Sequence, residues 1–339
     1  MLYVVIAFLW VSLYLYLILG GADFGVGVLE IFTGKKHIQT VKRTTYRSIG
    51  PIWEANHMWL IIAIVILFVG FPTIYSTISI YLHIPLVLML LGVIARGTAF
   101  TFRHYDAIDD DWQIVYNRIF QISSLITPFF LGLIAASTVS RSINLHHTDF
   151  LSAYVYSWWN PFGISVGIFT VAISAYLASI YIIGEAESSE FMRYLTRRAK
   201  IYFFVVLLSG IAVFITAHFA DIPLFNWIFG QTIGQIAVVL ASLSIIVLFW
   251  GFTKEKSTIM RVCVAFQTFM ILVAATYNHF PDLILLANEE SLSLFDHQGS
   301  EKTIEALAWA LLLGSVFILP FLFYLLYSFH RKTTPKNST

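Results

Sequence analysis

Ser48-Ile49-Gly50-Pro51-Ile52-Trp53-Glu54-Ala55-Asn56-His57-Met58-Trp59-Leu60-Ile61-Ile62-Ala63-Ile64-Val65-Ile66-Leu67-Phe68-Val69 is the stretch that decides the fold class. A carboxylate, an amide and an imidazole stand near its start, and every side chain from Leu60 to Val69 is apolar. A backbone in hydrocarbon must satisfy its hydrogen bonds internally, and for a single segment only a helix does so. The stretch therefore reads as the polar mouth of a membrane-spanning helix. An ionisable group costs about 2.5–3.5 kcal/mol at the bilayer centre and less toward the ends. Glu54 and His57 at this edge either have partners or carry protons or ions.

The same pattern recurs outward along the chain. A span needs roughly 20 mainly apolar residues. Such runs fall at about 2–30, 57–78, 80–100, 119–140, 162–183, 200–220, 231–252, 260–280 and 304–328. Hydrophobic residues make up 58% of the 339 and charged residues 12%, against roughly 25% charged in a soluble domain. The expected fold is an all-α integral membrane protein with nine transmembrane helices. The first residues, Met1-Leu2-Tyr3-Val4-Val5, lack the basic region of a signal peptide and read as the start of a retained span.

Charge patterning sets the expected sidedness. All of the 20 Lys and Arg except Arg141 and Lys302 fall in alternate loops or in the tail. These are Lys35 to Arg47, Arg96 to Arg118, Arg193 to Lys200, Lys254 to Arg261 and Arg331 to Lys336. The positive-inside rule then puts the N-terminus outside and the C-terminus in the cytoplasm. The 281–303 loop, with Asp282, Glu289, Glu290, Asp296 and Glu301, faces out. A net charge of +1 argues for no nucleic-acid partner. The single cysteine, Cys263, excludes an intrachain disulfide, a C-x-x-C-H haem attachment and a thiolate cluster. The Gly20 to Gly27 stretch follows no strand, so it is not a dinucleotide fingerprint.

The polar groups near span ends are the functional candidates. Asp23 and Glu54 flank the same basic loop and so lie at similar depth. Asp23 reads either as a buried group bonding a neighbouring helix or as a carboxylate lining a hydrated path. Gly21 and Gly25 share a face that would let a helix approach closely. Glu54 and His57 are three apart and stack on one face. They suit a proton relay, and Glu54 equally suits a helix N-terminus, where it complements the dipole. Trp53, Trp158, Trp159, Trp227 and Trp250 read as an interfacial belt. Arg96 and Arg103, two helical turns apart, read first as positive-inside residues in solvated ion pairs with Asp109, Asp110 and Asp111; contact with an acidic partner is the alternative. His218–Asp221 and His279–Asp282 recur at outer span ends, where capping is favoured over a metal site. His83 and His104 read as structural. The middle thirds of the spans hold no His, which argues against a mid-membrane haem in this chain.

Three motifs resemble subunit II of the cytochrome bd-type quinol oxidases. Gly21-Ala22-Asp23-Phe24-Gly25-Val26-Gly27 is similar to that family's first-helix motif. Gly50-Pro51, Trp53-Glu54, Asn56-His57 and Trp59 are similar to its second-helix motif, and Asn160-Pro161-Phe162-Gly163 to the start of its fifth helix. The resemblance implies two four-helix bundles, 1–141 and 142–280, an extracytoplasmic loop at 281–303, and a peripheral helix with a cytoplasmic tail at 304–339. It implies an accessory, non-catalytic subunit in the cell membrane. The partner is a haem-bearing subunit I that carries two b-type haems and one d-type haem, oxidises quinol and reduces dioxygen to water. Membrane lipid is a second partner, and a small single-span subunit is one the resemblance allows. No cofactor is expected in this chain, and no metal.

By the same resemblance, Asp23, Glu54, Asn56 and His57 mark a cytoplasmic proton path. Gly21, Gly25, Trp53, Trp59, Arg96 and Arg103 mark helix or partner packing. The chain departs from the family's D-G-F-D run at Gly20 and Ala22. It also has Thr101 where the run between Arg96 and Arg103 commonly has Asp. Two other functions stay open: a secondary transporter, disfavoured because ionisable groups sit at span ends rather than the midplane, and a purely structural scaffold.

Overall fold

The computed structural model describes residues 1–50, 52–105, 112–146 and 149–333. Pro51, Asp109, Asp110, Asp111 and Lys336 lie outside the described residues, as do the side chains of His104, Arg331 and Lys332.

The first span runs through α1 (Leu2–Leu15), a π-helical stretch (Tyr16–Gly20) and α2 (Gly21–Ile31). The basic loop that follows is not irregular. It folds as α3 (Ile38–Ile49), which buries Val41, Thr44, Thr45 and Ile49 and turns its charges outward. The second span is α4 (Trp53–Gly70). It stops eight residues earlier than the hydrophobicity of 57–78 predicts, because Pro72 cannot continue its hydrogen-bond ladder and instead opens α5 (Pro72–Tyr81) at the first turn. The third span is α6 (His83–Tyr105) and the fourth is α7 (Trp112–Val139).

A short α8 (Phe150–Tyr154) leads to α9 (Pro161–Ile183). Asn160 caps α9 by accepting the Gly163 amide at 2.8 Å, with Pro161 at the first helical position. The helix α10 (Ser189–Phe219) is capped by Ser188 and begins earlier than the apolar run at 200–220. After α11 (Leu224–Phe229) come α12 (Thr232–Lys254) and α13 (Ser257–Thr276). The last span is α14 (Glu301–Thr333). Among the described residues, nine helices are long and apolar enough to cross a membrane, one at each predicted run.

The acidic 281–303 loop carries a small antiparallel pair, β1 (Asp282–Leu285) and β2 (Ser291–Ser293). Sequence periodicity over so few residues gives no strand signal. The pair buries Ile284, Leu285 and Leu292, and joins a cluster with Val5, Ile6, Phe71, Ile74, Leu82 and Ile143. The loop is thus the apolar-lined cover of the bundle end opposite the basic loops.

Packing follows small residues. Helix α9 touches α2, α7, α10 and α13, and α14 lies against α1 and α4. A side chain at Gly25 would run into the Ser174 carbonyl and the Ala178 methyl of α9, so only glycine lets these two backbones approach. Gly27 in the same way admits Ser124 and Phe120 of α7. One buried polar chain ties the later helices: Tyr176 on α9 donates to Gln267 Oε1 on α13 at 3.0 Å, and Gln267 Nε2 donates to Ser244 on α12 at 3.1 Å.

Candidate functional site

Helix α2 carries two acids one heptad apart, Asp23 and Glu30, 1% and 2% exposed. Helix α6 carries Arg96 and Arg103 with the same spacing, and both are buried. The two helices are the first and third spans, so they run in the same direction across the membrane. Equal spacing on parallel helices brings both pairs into register. Arg96 Nη2 donates to Asp23 Oδ1 at 2.5 Å and to the Asp23 carbonyl at 3.1 Å. Arg103 Nη1 donates to both Glu30 oxygens, at 2.9 and 3.1 Å.

Aromatic rings fill the space around the two guanidinium groups. Phe120 of α7 lies between them, 5.2 Å from Arg96 Cζ and 4.1 Å from Arg103 Cζ. Phe24 and Phe100 complete the wall around Arg96. A guanidinium over a ring face gains from the ring quadrupole, most where water is excluded. The expectation of solvated arginines is therefore corrected. Their proximity to the basic end made them look like topology signals, but both point inward at acids on the first span. Lys42 on α3 faces the lower pair from outside. Burial pushes its ammonium below the ordinary range, the Glu30 carboxylate opposes that shift, and Arg103 adds to it.

Beyond the upper pair stands His57. Its Nε2 lies 3.7 Å from Asp23 Oδ2, longer than a hydrogen bond. Its ring is enclosed by Phe24, Tyr16 and Trp53, at 5.6, 6.0 and 6.1 Å between centroids. Tyr16 reaches this place from the π-helical stretch, a local widening often found at functional sites. Asp23 Oδ2, both His57 nitrogens, the Tyr16 hydroxyl and Trp59 Nε1 are buried and have no hydrogen-bond partner among the described residues. Each such group costs about 1–3 kcal/mol, so their meeting at one place marks a site rather than ordinary packing.

The other predicted residues are placed as follows. Glu54 is exposed in the first turn of α4, with no ion-pair partner among the described residues. It shares its helix with His57, but the two face different surroundings, one outward and one toward Asp23. Asn56 is buried. Trp53 is half-buried against Phe100 and Gly97. Trp59 is buried with Tyr16 and Phe24. Gly21 faces Leu177 and Ser174 of α9. Glu30, Tyr16 and Phe120 escaped the sequence reading. Glu30 had a signal: it follows Asp23 by seven residues, as Arg103 follows Arg96.

The two outer His–Asp pairs do not converge. Among the described residues, no group of three or more His, Cys, Asp or Glu side chains gathers to hold a metal ion. His218 is exposed, whereas His279 is buried with its ring 4.1 Å from Trp227, edge to face.

Comparison with known proteins agrees with this architecture. The structure superposes on the bd oxidase from Geobacillus thermodenitrificans with a TM-score of 0.73 and 20% identity, over 97% of this chain and 98% of that one; this likeness is one of fold. The chain is 32% identical over 160 residues to cytochrome bd ubiquinol oxidase subunit 2 of Bacillus subtilis, which is 45% of each chain. It is 28% identical over 181 residues to cytochrome bd-I ubiquinol oxidase subunit 2 of Escherichia coli K12, or 50% of this chain and 46% of that one. The chain thus spans about half the length of the relatives it matches. Residues 1–329 match the family model of cytochrome bd terminal oxidase subunit II, and the chain belongs to that family.

Proposed function

We propose that this chain is the accessory subunit of a bd-type quinol oxidase in the cell membrane. It supports a haem-bearing subunit, which oxidises quinol and reduces dioxygen to water, and it supplies that subunit with protons from the cytoplasm. The family match over residues 1–329 supports the assignment to such a complex. The basic loops support an outside N-terminus and a cytoplasmic C-terminus. The division into bundles at 1–141 and 142–280, with 304–339 peripheral, follows the order of the spans, and α9 forms the seam between them.

The proton role rests on one observation. Glu54 stands exposed at the mouth of α4, and His57 one turn further on reaches toward the free oxygen of Asp23 at 3.7 Å. A proton entering at Glu54 has Asn56 and His57 as its next polar groups. The last gap is crossed when a side chain rotates or a water molecule bridges it. Asp23, whose other carboxylate oxygen accepts from Arg96, is the polar group that follows His57 on this path.

The test is Glu54→Ala in the intact complex purified from its own membrane, with haem content and oxygen consumption measured together. Normal haem content with a clear fall in oxygen consumption, restored in part by Glu54→Asp, is the expected result. Unchanged consumption ends the proton assignment. Copurification without any haem-bearing subunit ends the oxidase assignment and favours a transporter. The buried ion pairs also favour a second reading, a scaffold that only holds the partner in place; on it, Glu54→Ala changes nothing while Arg96→Leu lowers the amount of assembled complex.

A further inference from the structure

We propose that the basic ends of α10 and α12 form a binding site for the phosphodiester headgroup of an anionic phospholipid. A cavity of about 300 Å³ opens there, lined by Arg193, Thr196, Arg197 and Lys200 of α10 and by Phe252 and Glu255 at the end of α12. The α10 residues fall at i, i+3, i+4 and i+7, which is one helix face.

Four neighbouring basic residues at this end of the protein are paired with acids. Lys36 pairs with Glu190, Arg43 and Arg47 pair with Glu187, and Arg261 pairs with Glu185. Among the described residues, Arg193, Arg197 and Lys200 have no ion-pair partner, and one acid, Glu255, stands with them in the cavity wall. Lys200 is held over the Phe252 ring, with Nζ 5.5 Å from its centroid. Arg198, between them in sequence, turns away to donate to the Tyr194 hydroxyl at 3.1 Å. Among the described residues, the cavity therefore carries an excess of positive charge.

The depth and the surface below fit a lipid rather than a free ion. Helix α10 has 31 residues and is about 46 Å long at 1.5 Å per residue. A hydrocarbon core is about 30 Å thick, so the first turns of α10 stand in the headgroup region. The face that carries Arg193, Arg197 and Lys200 continues down the helix through Phe204, Leu208, Ile211 and Ile215 at steps of three and four. All four are more than half exposed. Cations followed by an exposed apolar stripe match an anionic head followed by an acyl chain. Basic pockets between helices at a cytoplasmic face recognise such headgroups.

The test uses the complex as purified, exchanged into nanodiscs of phosphatidylcholine with graded phosphatidylglycerol, with retained lipid counted by native mass spectrometry. The triple variant Arg193→Gln, Arg197→Gln, Lys200→Gln is compared with a control, Lys35→Gln, Lys254→Gln, Lys256→Gln, of equal charge change. The site predicts that the first triple variant weakens phosphatidylglycerol retention by about a hundredfold, with phosphatidylcholine unaffected and the control near wild type. Short-chain phosphatidylglycerol competes for the site and inorganic phosphate does not. Equal losses in both triple variants, equal retention of both lipids, or competition by inorganic phosphate matching the short-chain lipid overturns the proposal. So does a crosslinker at Arg197→Cys that captures a protein instead of lipid. A melting temperature equal to wild type verifies that the variants are folded.

Discussion

Asp23 and Arg96 form an ion pair in which neither side chain retains any solvent-exposed area. They are 73 residues apart, and the pair beside them, Glu30 and Arg103, is separated by the same 73. One heptad is about 10.5 Å along a helix, so the first and third spans are stitched at two levels with Phe120 between. Two charged side chains on parallel helices can repeat in this way only when the spacing on both is equal. The pairs therefore fix the register of α2 against α6, although the backbones of these helices are held apart by α7.

Removing one member of a buried pair leaves the other charge unpaired, which costs about 3–5 kcal/mol, whereas replacing both with apolar groups is often neutral. Asp23→Leu and Arg96→Leu are each expected to lower the thermal stability of the purified complex strongly, and the double variant to recover most of the loss. Denaturant or thermal unfolding of the four members of the cycle measures the coupling. Additive losses, with no recovery in the double variant, refute the pairing.

The nine spans were legible because each is a long apolar run, and composition alone forces such runs into helices. Their ends were not: the break at Gly70-Phe71-Pro72 lies inside a continuous apolar stretch, and the amphipathic α3 lies inside what charge patterning marks as a loop. In the site, Asp23, Glu54 and His57 stood out as ionisable groups in apolar surroundings. The resemblance marked Arg96 and Arg103 as packing residues, but their pattern alone read as solvated ion pairs, because a cation near a basic loop has a sufficient explanation in topology. Their burial depends on Phe120 of α7, a residue whose position no local pattern reveals.

Close approach at Gly25 gives a prediction with an internal control. Any Cβ there meets the α9 backbone at Ser174, and backbone cannot yield as a flexible side chain can. Overpacking of a tight core costs typically about 1–3 kcal/mol, and Gly25→Val is expected at or above the upper end. A methyl group at Gly34, in the basic loop, would meet nothing within 4 Å among the described residues, so Gly34→Ala leaves stability nearly unchanged. The yield and melting temperature of both variants in one expression host decide the matter; equal behaviour contradicts the α2–α9 contact.

His279 gives a pH dependence outside the membrane spans. The residue is 8% exposed, its Nε2 has no hydrogen-bond partner among the described residues, and Trp227 packs on the ring. Burial pushes its pKa below the ordinary value; Asp282 opposes the shift and Arg141 adds to it. The unfolded chain takes up the proton near pH ~6.5, while the folded chain resists it until lower pH. Between those two values the unfolded state binds more protons, so stability falls as the pH drops through that window and levels off below it. His279→Gln, which stays neutral throughout, is expected to show a shallower fall in melting temperature between about pH 7.5 and pH 5.5 than the wild-type complex. Identical slopes in the two proteins mean that His279 takes its proton as readily in the folded chain as in the unfolded one, and that the Trp227 contact does not keep the ring neutral.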